Sequence, residues 1–445
     1  MTGNRTSFYL TRISALSIAL CFCSAAPGQT KEKPKLKNFG SSLEKLKWDP
    51  ERKAAVETKR KDARFASSSD DVVRVQTNLV VSDVLVLDPQ GRPVQGLAQK
   101  DFLVAENGNK QSVEMFSLGD NVAVPRSIVL IIDYSCMEIP FLRTSVAAAK
   151  TLIDKLGSAD RMAIVTDDVE LLVNYTNNKT RLKDGLDVLL KRTTLDRSPL
   201  ADPQQRHLPF GRGFQYSALM AVLKEAFDDE DVRPIIVFQT MGTEAHILEN
   251  PIPLPPIPAG LTADMRLEMD RNEKHYQEYV RRNKREFSLN DVYKAAETSR
   301  ATIYTVVPGF RLIGLSPEEQ IAQVRAANDR TFSLPWHSEK SRKANLNLPP
   351  EIMKWEAEDT VNMQSALAVL STITGGWIEF LDQPSQADEI YSRIFSDINR
   401  RYLIGYYPTN KQHDGKRRKV TISVRDHPEY MVMGRQGYYA PDPDE

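Results

Sequence analysis

The stretch "IIDYSCMEIP" (131–140) sets the reading of the chain. Val129, Leu130, Ile131 and Ile132 run without a break into Asp133, and Ser135 follows two residues later. An uninterrupted apolar run of this length reads as a buried strand, here 128–133. An acidic residue at its end stands at a working edge of a sheet. Pro140 suits the first turn of a helix, and "PFLRTSVAAAKTLIDKL" carries that helix over 140–156.

The same alternation continues outward. "RMAIVTDD" and "VELLVNYT" read as strands, and "TRLKDGLDVLLKR" sets Leu182, Leu186, Leu189 and Leu190 on one helical face. "YSALMAVLKEAF" is a helix, and "PIIVF" is a wholly apolar strand of the kind found in a parallel sheet covered on both faces. Helix 289–300 leads to strand "ATIYTVVP". Helix 360–371 passes through Gly375-Gly376 to the short strand "WIEF", and helix 385–401 closes the run. Strands separated by helices predict a doubly wound α/β domain over 125–401. Two stretches interrupt it, 250–288 and 311–359. The first begins "PIPLPPIPAG" and continues as a charged helix, a projecting insert and a candidate partner surface. In the second, Ser316 with Glu318 and Glu319 can start a short helix.

β segments flank this domain. Over 71–120, "VVRVQTNLVVSDVLVLDPQGRPVQGL" and "DFLVAENGNKQSVEMFSL" give about four strands, with tight turns at Pro89-Gln90-Gly91 and Asn107-Gly108. Over 402–442, "YLIGYYPT" precedes a second β run in which Val420, Ile422 and Val424 alternate with polar residues. Each segment alone would leave an apolar sheet face exposed, so the two are expected to meet in one β-sandwich.

The chain has 445 residues, with Lys plus Arg at 59 and Asp plus Glu at 59. A neutral balance gives no electrostatic pull toward nucleic acid or an anionic membrane. Arg5 and Arg12, the apolar stretch 13–23 and the small residues after it read as a secretory signal peptide over 1–28, with cleavage after Gly28 favoured over Ala25. The apolar run is about half the roughly 20 residues a membrane span needs, so no transmembrane segment is expected in the mature chain. A lipidated Cys21 or Cys23 is the weaker reading, because Leu20 and Phe22 sit where a small residue is wanted. Cleavage leaves Cys136 as the one cysteine of three, and no internal disulfide can form. Residues 29–70 are polar and charged and read as a leader or linker, with a short helix at most.

Several pieces together resemble one family. They are "DPQGRPVQGLAQKDFLVAENG" (88–108), the strand ending in Asp133-x-Ser135, "DRMAIVTDDVELLVNYTNN" (160–178), Thr374-Gly375-Gly376, "YLIGYYPTN", "DGKRRKVTISV" and "GRQGYYAP". In combination they resemble the von Willebrand factor type A domain, in the form carried by related acidobacterial proteins. The resemblance spans about 72–442. It implies a Rossmann-like, doubly wound domain in an exported or surface protein, with no established enzymatic activity. It also implies a metal-ion-dependent adhesion site whose first loop reads Asp-x-Ser-x-Ser, completed by a Thr and an Asp from later loops. Hydroxyls and a carboxylate suit a hard cation such as Mg²⁺.

This chain departs from that pattern. Asp133 and Ser135 match, but Met137 replaces the second serine. The threonine position falls near Gly213, and after "PIIVF" the chain offers Thr240 and then Glu244. Asp133, Ser135, Thr240 and Glu244 are thus the candidate metal ligands of a degenerate site, able at most to hold Mg²⁺ or Mn²⁺ weakly. The alternative is that Asp133 and Ser135 only bond nearby backbone. Asp167-Asp168 reads as a solvated loop.

The six histidines, His207, His246, His275, His337, His413 and His427, form no H-E-x-x-H or close pair. Neither a G-x-S-x-G elbow nor a phosphate-binding glycine loop is found. The expectation is therefore an exported, non-enzymatic protein-binding or adhesion module, periplasmic or at the cell surface, with a protein partner and no resident cofactor. The other reading is a structural or assembly component of a cell-envelope complex. The sequence leaves the oligomeric state open.

Overall fold

The computed structural model describes residues 46–49, 54–57, 79–118, 126–134, 139–196, 214–227, 233–248, 274, 285–333, 339 and 349–441. The expected signal segment over 1–28, Ser135 to Met137, and nearly all of the 250–288 insert lie outside the described residues. The leader contributes an antiparallel ribbon of β1 (Leu46–Asp49) and β2 (Ala54–Glu57), with Leu46 opposite Glu57 and Asp49 opposite Ala54. There the sequence suggested at most a helix.

The first β segment forms β3 (Val80–Leu87), β4 (Phe102–Glu106), β5 (Asn109–Gln111) and β6 (Met115–Leu118). Asn107 and Gly108 join β4 to β5 with φ of 47° and 84°. That pair of positive φ values is what a two-residue hairpin demands and what Asn-Gly supplies most readily.

The α/β unit follows, its parallel strands separated by helices. β7 (Arg126–Ile132) leads to α1 (Ile139–Asp154), then to β8 (Arg161–Thr166), β9 (Leu171–Thr176) and α2 (Lys179–Asp196). α3 (Gln215–Glu225) precedes β10 (Arg233–Gln239), the short α4 (Ala245–Leu248) and α5 (Leu289–Thr298). β11 (Thr302–Val307) is followed by α6 (Pro317–Ser333), α7 (Pro350–Ile373), β12 (Ile378–Phe380) and α8 (Ala387–Arg400). The sheet order is β12-β11-β10-β7-β8-β9, parallel throughout except for the antiparallel edge pair β8–β9. β7 lies centrally and is buried on both faces. Ile128, Leu130 and Ile132 face one core, shared with α1, α2 and α8. Val129 and Ile131 face the other, shared with α3, α5 and α7. The expected doubly wound arrangement holds.

The second interruption is more ordered than the sequence suggests. The Ser316–Glu319 capping box opens α6, which runs to Ser333: the Glu319 carboxylate accepts the Ser316 N–H at 2.8 Å, and the Ser316 hydroxyl accepts the Glu319 N–H at 3.3 Å. α7 begins ten residues before the expected 360. Its first half packs on α6 around Leu312, Val324, Met353 and Ala357, a satellite core of its own.

The tail supplies β13 (Tyr402–Tyr406), β14 (Arg417–Val424), β15 (Met431–Met433) and β16 (Gly437–Tyr439). Head and tail strands interleave in two antiparallel sheets, β15-β3-β13-β6 and β16-β14-β4-β5. Val84, Val86, Phe102, Val104, Tyr402, Ile404, Tyr406, Val420 and Val424 form one core between them. Phe102, Phe116 and Tyr402 meet with ring centroids 5.1–5.8 Å apart. The sandwich seats against the starting ends of the parallel strands. Arg233, the first residue of β10, pairs with Asp83 of β3 at 2.8 Å. The opposite, C-terminal edge of the sheet carries Asp133.

Candidate functional site

The C-terminal edge is built by backbone bonds that lock neighbouring strand ends together. Asp133 N–H donates to Gln239 O (2.9 Å), Asp167 N–H to Ile132 O (3.2 Å) and Thr240 N–H to Val306 O (3.1 Å). The residues that follow β7, β8 and β10 are therefore fixed side by side. Asp133, Asp167 and Thr240 are all fully buried.

Asp133 Oδ2 accepts two hydrogen bonds, one from Thr240 Oγ1 and one from Gln215 Nε2, each at 3.1 Å. The Thr240 hydroxyl also accepts the Gly242 N–H at 2.9 Å. Gln215 is the first residue of α3. Its Oε1 accepts the Glu244 N–H at 2.9 Å, and its Nε2 also reaches Thr243 Oγ1 at 2.9 Å. Because the Glu244 amide is a donor, it fixes the Gln215 side chain with its NH₂ toward Asp133.

Glu244 lies under the start of α3. Its Oε2 accepts the backbone N–H groups of Tyr216 (2.5 Å) and Ser217 (3.0 Å). Its Oε1 accepts Ser217 Oγ (2.8 Å) and Arg285 Nε (2.6 Å). A carboxylate at a helix N-terminus is stabilised by the unpaired amides and the helix dipole. Arg285 is itself buried, its guanidinium 4.2 Å from the centroid of the Phe214 ring.

The β8–β9 turn closes the other side. Asp167 Oδ1 accepts the Tyr134 N–H at 3.1 Å, and Phe214 N–H donates to Asp167 O at 3.0 Å. Asp168 accepts the Tyr134 hydroxyl at 3.1 Å and also the Thr166 hydroxyl. Burial raises the Tyr134 phenol's pKa above its ordinary value, and the charges of Asp168 and Asp167 reinforce the shift. The aspartate pair is thus not a solvated loop: Asp167 is fully buried, because the turn folds over the end of β7.

The four expected ligands have separate positions. Asp133 and Thr240 are in direct contact, and Glu244 joins them only through Gln215. Ser135 lies outside the described residues. Among the described residues, the oxygens expected to serve a divalent ion are already engaged within the protein. Both Glu244 oxygens are occupied by N–H, hydroxyl and guanidinium donors, and an amide NH₂ points at Asp133 Oδ2. Among the described residues, no group of three or more His, Cys, Asp or Glu side chains has a metal-binding arrangement. Gln215, Arg285 and Asp167 are the members of this network that sequence reading missed. For Gln215 the signal was present: an amide at the head of the apolar helix "QYSALMAVL".

No family model matches the chain, and no curated protein is similar to it at a significant level. Among solved structures it is similar to a von Willebrand factor type A protein from Catenulispora acidiphila, at 11% identity, covering 83% of this chain and 76% of that chain, with TM-score 0.28. It is also similar to an aerotolerance-related membrane protein from Bacteroides fragilis NCTC 9343, at 13% identity, covering 62% and 99%, with TM-score 0.29. A third is the manganese-loaded TRAP protein of Plasmodium vivax, at 10% identity, covering 76% and 98%, with TM-score 0.27. No residue role is carried over from these structures. The fold rests on the strand order above, a doubly wound arrangement of the kind the resemblance in the sequence implied. Among the described residues no helix is long and apolar enough to cross a membrane.

Proposed function

We propose that the protein is an exported, non-enzymatic binding module of the adhesion type, which engages a protein partner through the C-terminal edge of its α/β sheet. The observation that supports this most is the network joining Asp133, Thr240, Gln215 and Glu244. It holds the connections after β7 and β10 and the head of α3 in one preorganised arrangement. Open α/β sheets bind their ligands at this edge. The polar groups are engaged with one another rather than poised as nucleophile and base, which favours recognition over chemistry. The site is a degenerate form of the metal-ion-dependent adhesion site, with its serine and threonine pattern eroded at Met137 and Gly213.

The signal-like segment 1–28 supports export to the periplasm or the cell surface. A second reading, a structural or assembly component of an envelope complex, draws support from the sandwich. Buried ion pairs such as Arg233–Asp83 fasten it to the α/β unit and suit a rigid building block.

Surface labelling of intact cells and a deletion strain test the first reading. An adhesin is labelled from outside, and its loss lowers attachment. Protein protected from the label, with a disturbed envelope complex in the deletion strain, would favour the second. Asp133→Ala in the complementing copy should lower attachment while leaving export unchanged.

A further inference from the structure

Three buried clusters offer themselves, two beyond the network just described and one within it. Glu106 with the Tyr406 and Tyr438 hydroxyls is a closed set inside the sandwich. Asp397 with Arg401 and Tyr304 belongs to the seam between sandwich and sheet. The third, Arg285 on Glu244, has a bearing on how the edge works.

We infer that Arg285 is the built-in cation of this edge, and that the protein holds its binding loops in shape with a guanidinium where a metal-dependent relative would need a divalent ion. This rests on the adhesion-type reading and specifies how that site is regulated: it is constitutively formed and indifferent to divalent metal. Four observations carry it. The Arg285 and Glu244 side chains are almost completely buried, at 3% and 0% exposure, and meet at 2.6 Å. Glu244 uses its other contacts to bind the first amides of α3. Its own N–H orients Gln215, and Gln215 delivers an N–H to Asp133. Positive charge on Arg285 is therefore transmitted as position, through Glu244 and Gln215, to the carboxylate at the end of β7.

A buried carboxylate needs a compensating positive group. A bound ion provides one only when its concentration allows, whereas a covalently attached guanidinium is always present. Phe214, stacked on that guanidinium, donates its N–H to Asp167, so the β8–β9 turn is tied to the same cation. Arg285 is thus a positioning residue for the residues that directly follow β7, β8 and β10.

The test uses the chain without its signal segment, in wild-type, Arg285→Gln and Arg285→Lys forms. Mg²⁺ and Mn²⁺ are titrated calorimetrically to about 10 mM, beyond the range of weak extracellular cation sites. Amide hydrogen exchange is followed at Tyr216, Ser217 and Glu244, with Ile236 and Val237 of β10 as internal reference. The wild type should show no saturable metal binding and no change on adding EDTA. Arg285→Gln should exchange about tenfold faster at the three edge amides, the equivalent of one charge-assisted hydrogen bond. The β10 amides should not change, and Arg285→Lys should retain part of the protection.

Saturable metal binding by the wild type overturns the inference. So does unchanged edge protection in Arg285→Gln, or a folded Arg285→Lys as unprotected as Arg285→Gln. Should Arg285→Gln fail to fold, the Lys variant and the wild-type titration still decide. None of these readouts involves a partner, so failure of the adhesion reading shows separately, in the attachment assay.

Discussion

Gly376 lies so close to β11 that a Cβ on it would stand 1.9 Å from the Ile303 carbonyl oxygen. No side chain can be accommodated there without moving β12 away from β11, and Thr305 N–H bonds Trp377 O at 3.0 Å just beyond. Gly376→Ala should cost about 3 kcal/mol, the upper range for overpacking. Urea unfolding of the variant measures it. An unchanged midpoint would mean that the edge strand slides freely.

Among the described residues Arg401 is the largest fully buried side chain, and it closes the seam between sandwich and sheet. It donates to Asp397 Oδ2 (2.9 Å), Gly375 O (2.6 Å) and Asp83 O (3.2 Å), while the Tyr304 hydroxyl reaches the same Asp397 oxygen at 2.7 Å. Arg401→Ala should lose about 3–5 kcal/mol, because Asp397 is left as an uncompensated buried charge. The double variant Asp397→Asn, Arg401→Met should recover part of that loss. Chemical denaturation of the three proteins provides the comparison, and a double variant no better than the single would remove the charge explanation.

Asp359, buried in the first half of α7, has its carboxyl pushed up to about 7 by burial, with the neighbouring Glu356 adding to the shift. The folded state therefore holds this proton to higher pH than the unfolded chain, whose ordinary value is 3.8. The sign follows: the group costs nothing below about pH 4, and stability falls as pH rises toward 7, then levels off. Asp359→Asn should flatten that slope and leave the protein more stable than wild type at pH 8. Melting curves from pH 4 to 8 measure it, and parallel profiles for the two proteins would place the titration elsewhere.

Arg435 holds the end of α5. Its guanidinium donates to the Glu297 carbonyl at 3.1 Å and to the Ser299 carbonyl, where the helix leaves its last acceptors unpaired. Arg435→Met should cost about 1–3 kcal/mol, the range for a buried acceptor left unsatisfied. It should also speed exchange of the last α5 amides. Equal exchange in both proteins would show that another group caps the helix.

Much of this architecture was legible because the signals were local. The unbroken run into Asp133 and the wholly apolar "PIIVF" gave the parallel sheet, and Asn107-Gly108 gave a hairpin at its observed place. The meeting of head and tail strands followed from neither having a second apolar layer of its own. The start of α7 was hidden by charge: Glu351, Lys354, Glu356, Glu358 and Asp359 look like a solvated linker, yet Glu356 and Asp359 are buried. The edge network was legible only in part. Asp133, Thr240 and Glu244 follow strands that the pattern locates, but Arg285 stands in "RRNKREF", where nothing distinguishes it from its basic neighbours. Its role depends on a contact 41 residues back along the chain.

The interleaved sandwich also fixes an order of events in time. β3 lies between β13 and β15, and the Tyr402 hydroxyl accepts the Leu97 N–H across 305 residues of chain. A chain emerging from its N-terminus presents β3 to β6 early; β4 and β5 can pair with each other at once, but β3 and β6 lack their shared neighbour until β13 has been made. At roughly 5–20 residues per second, that wait is on the order of tens of seconds. The α/β unit, whose strands pair with near neighbours, is free to form meanwhile. Strands that appear early are thus among the last to settle, and any factor that guards the nascent chain has β3 and β6 to shield.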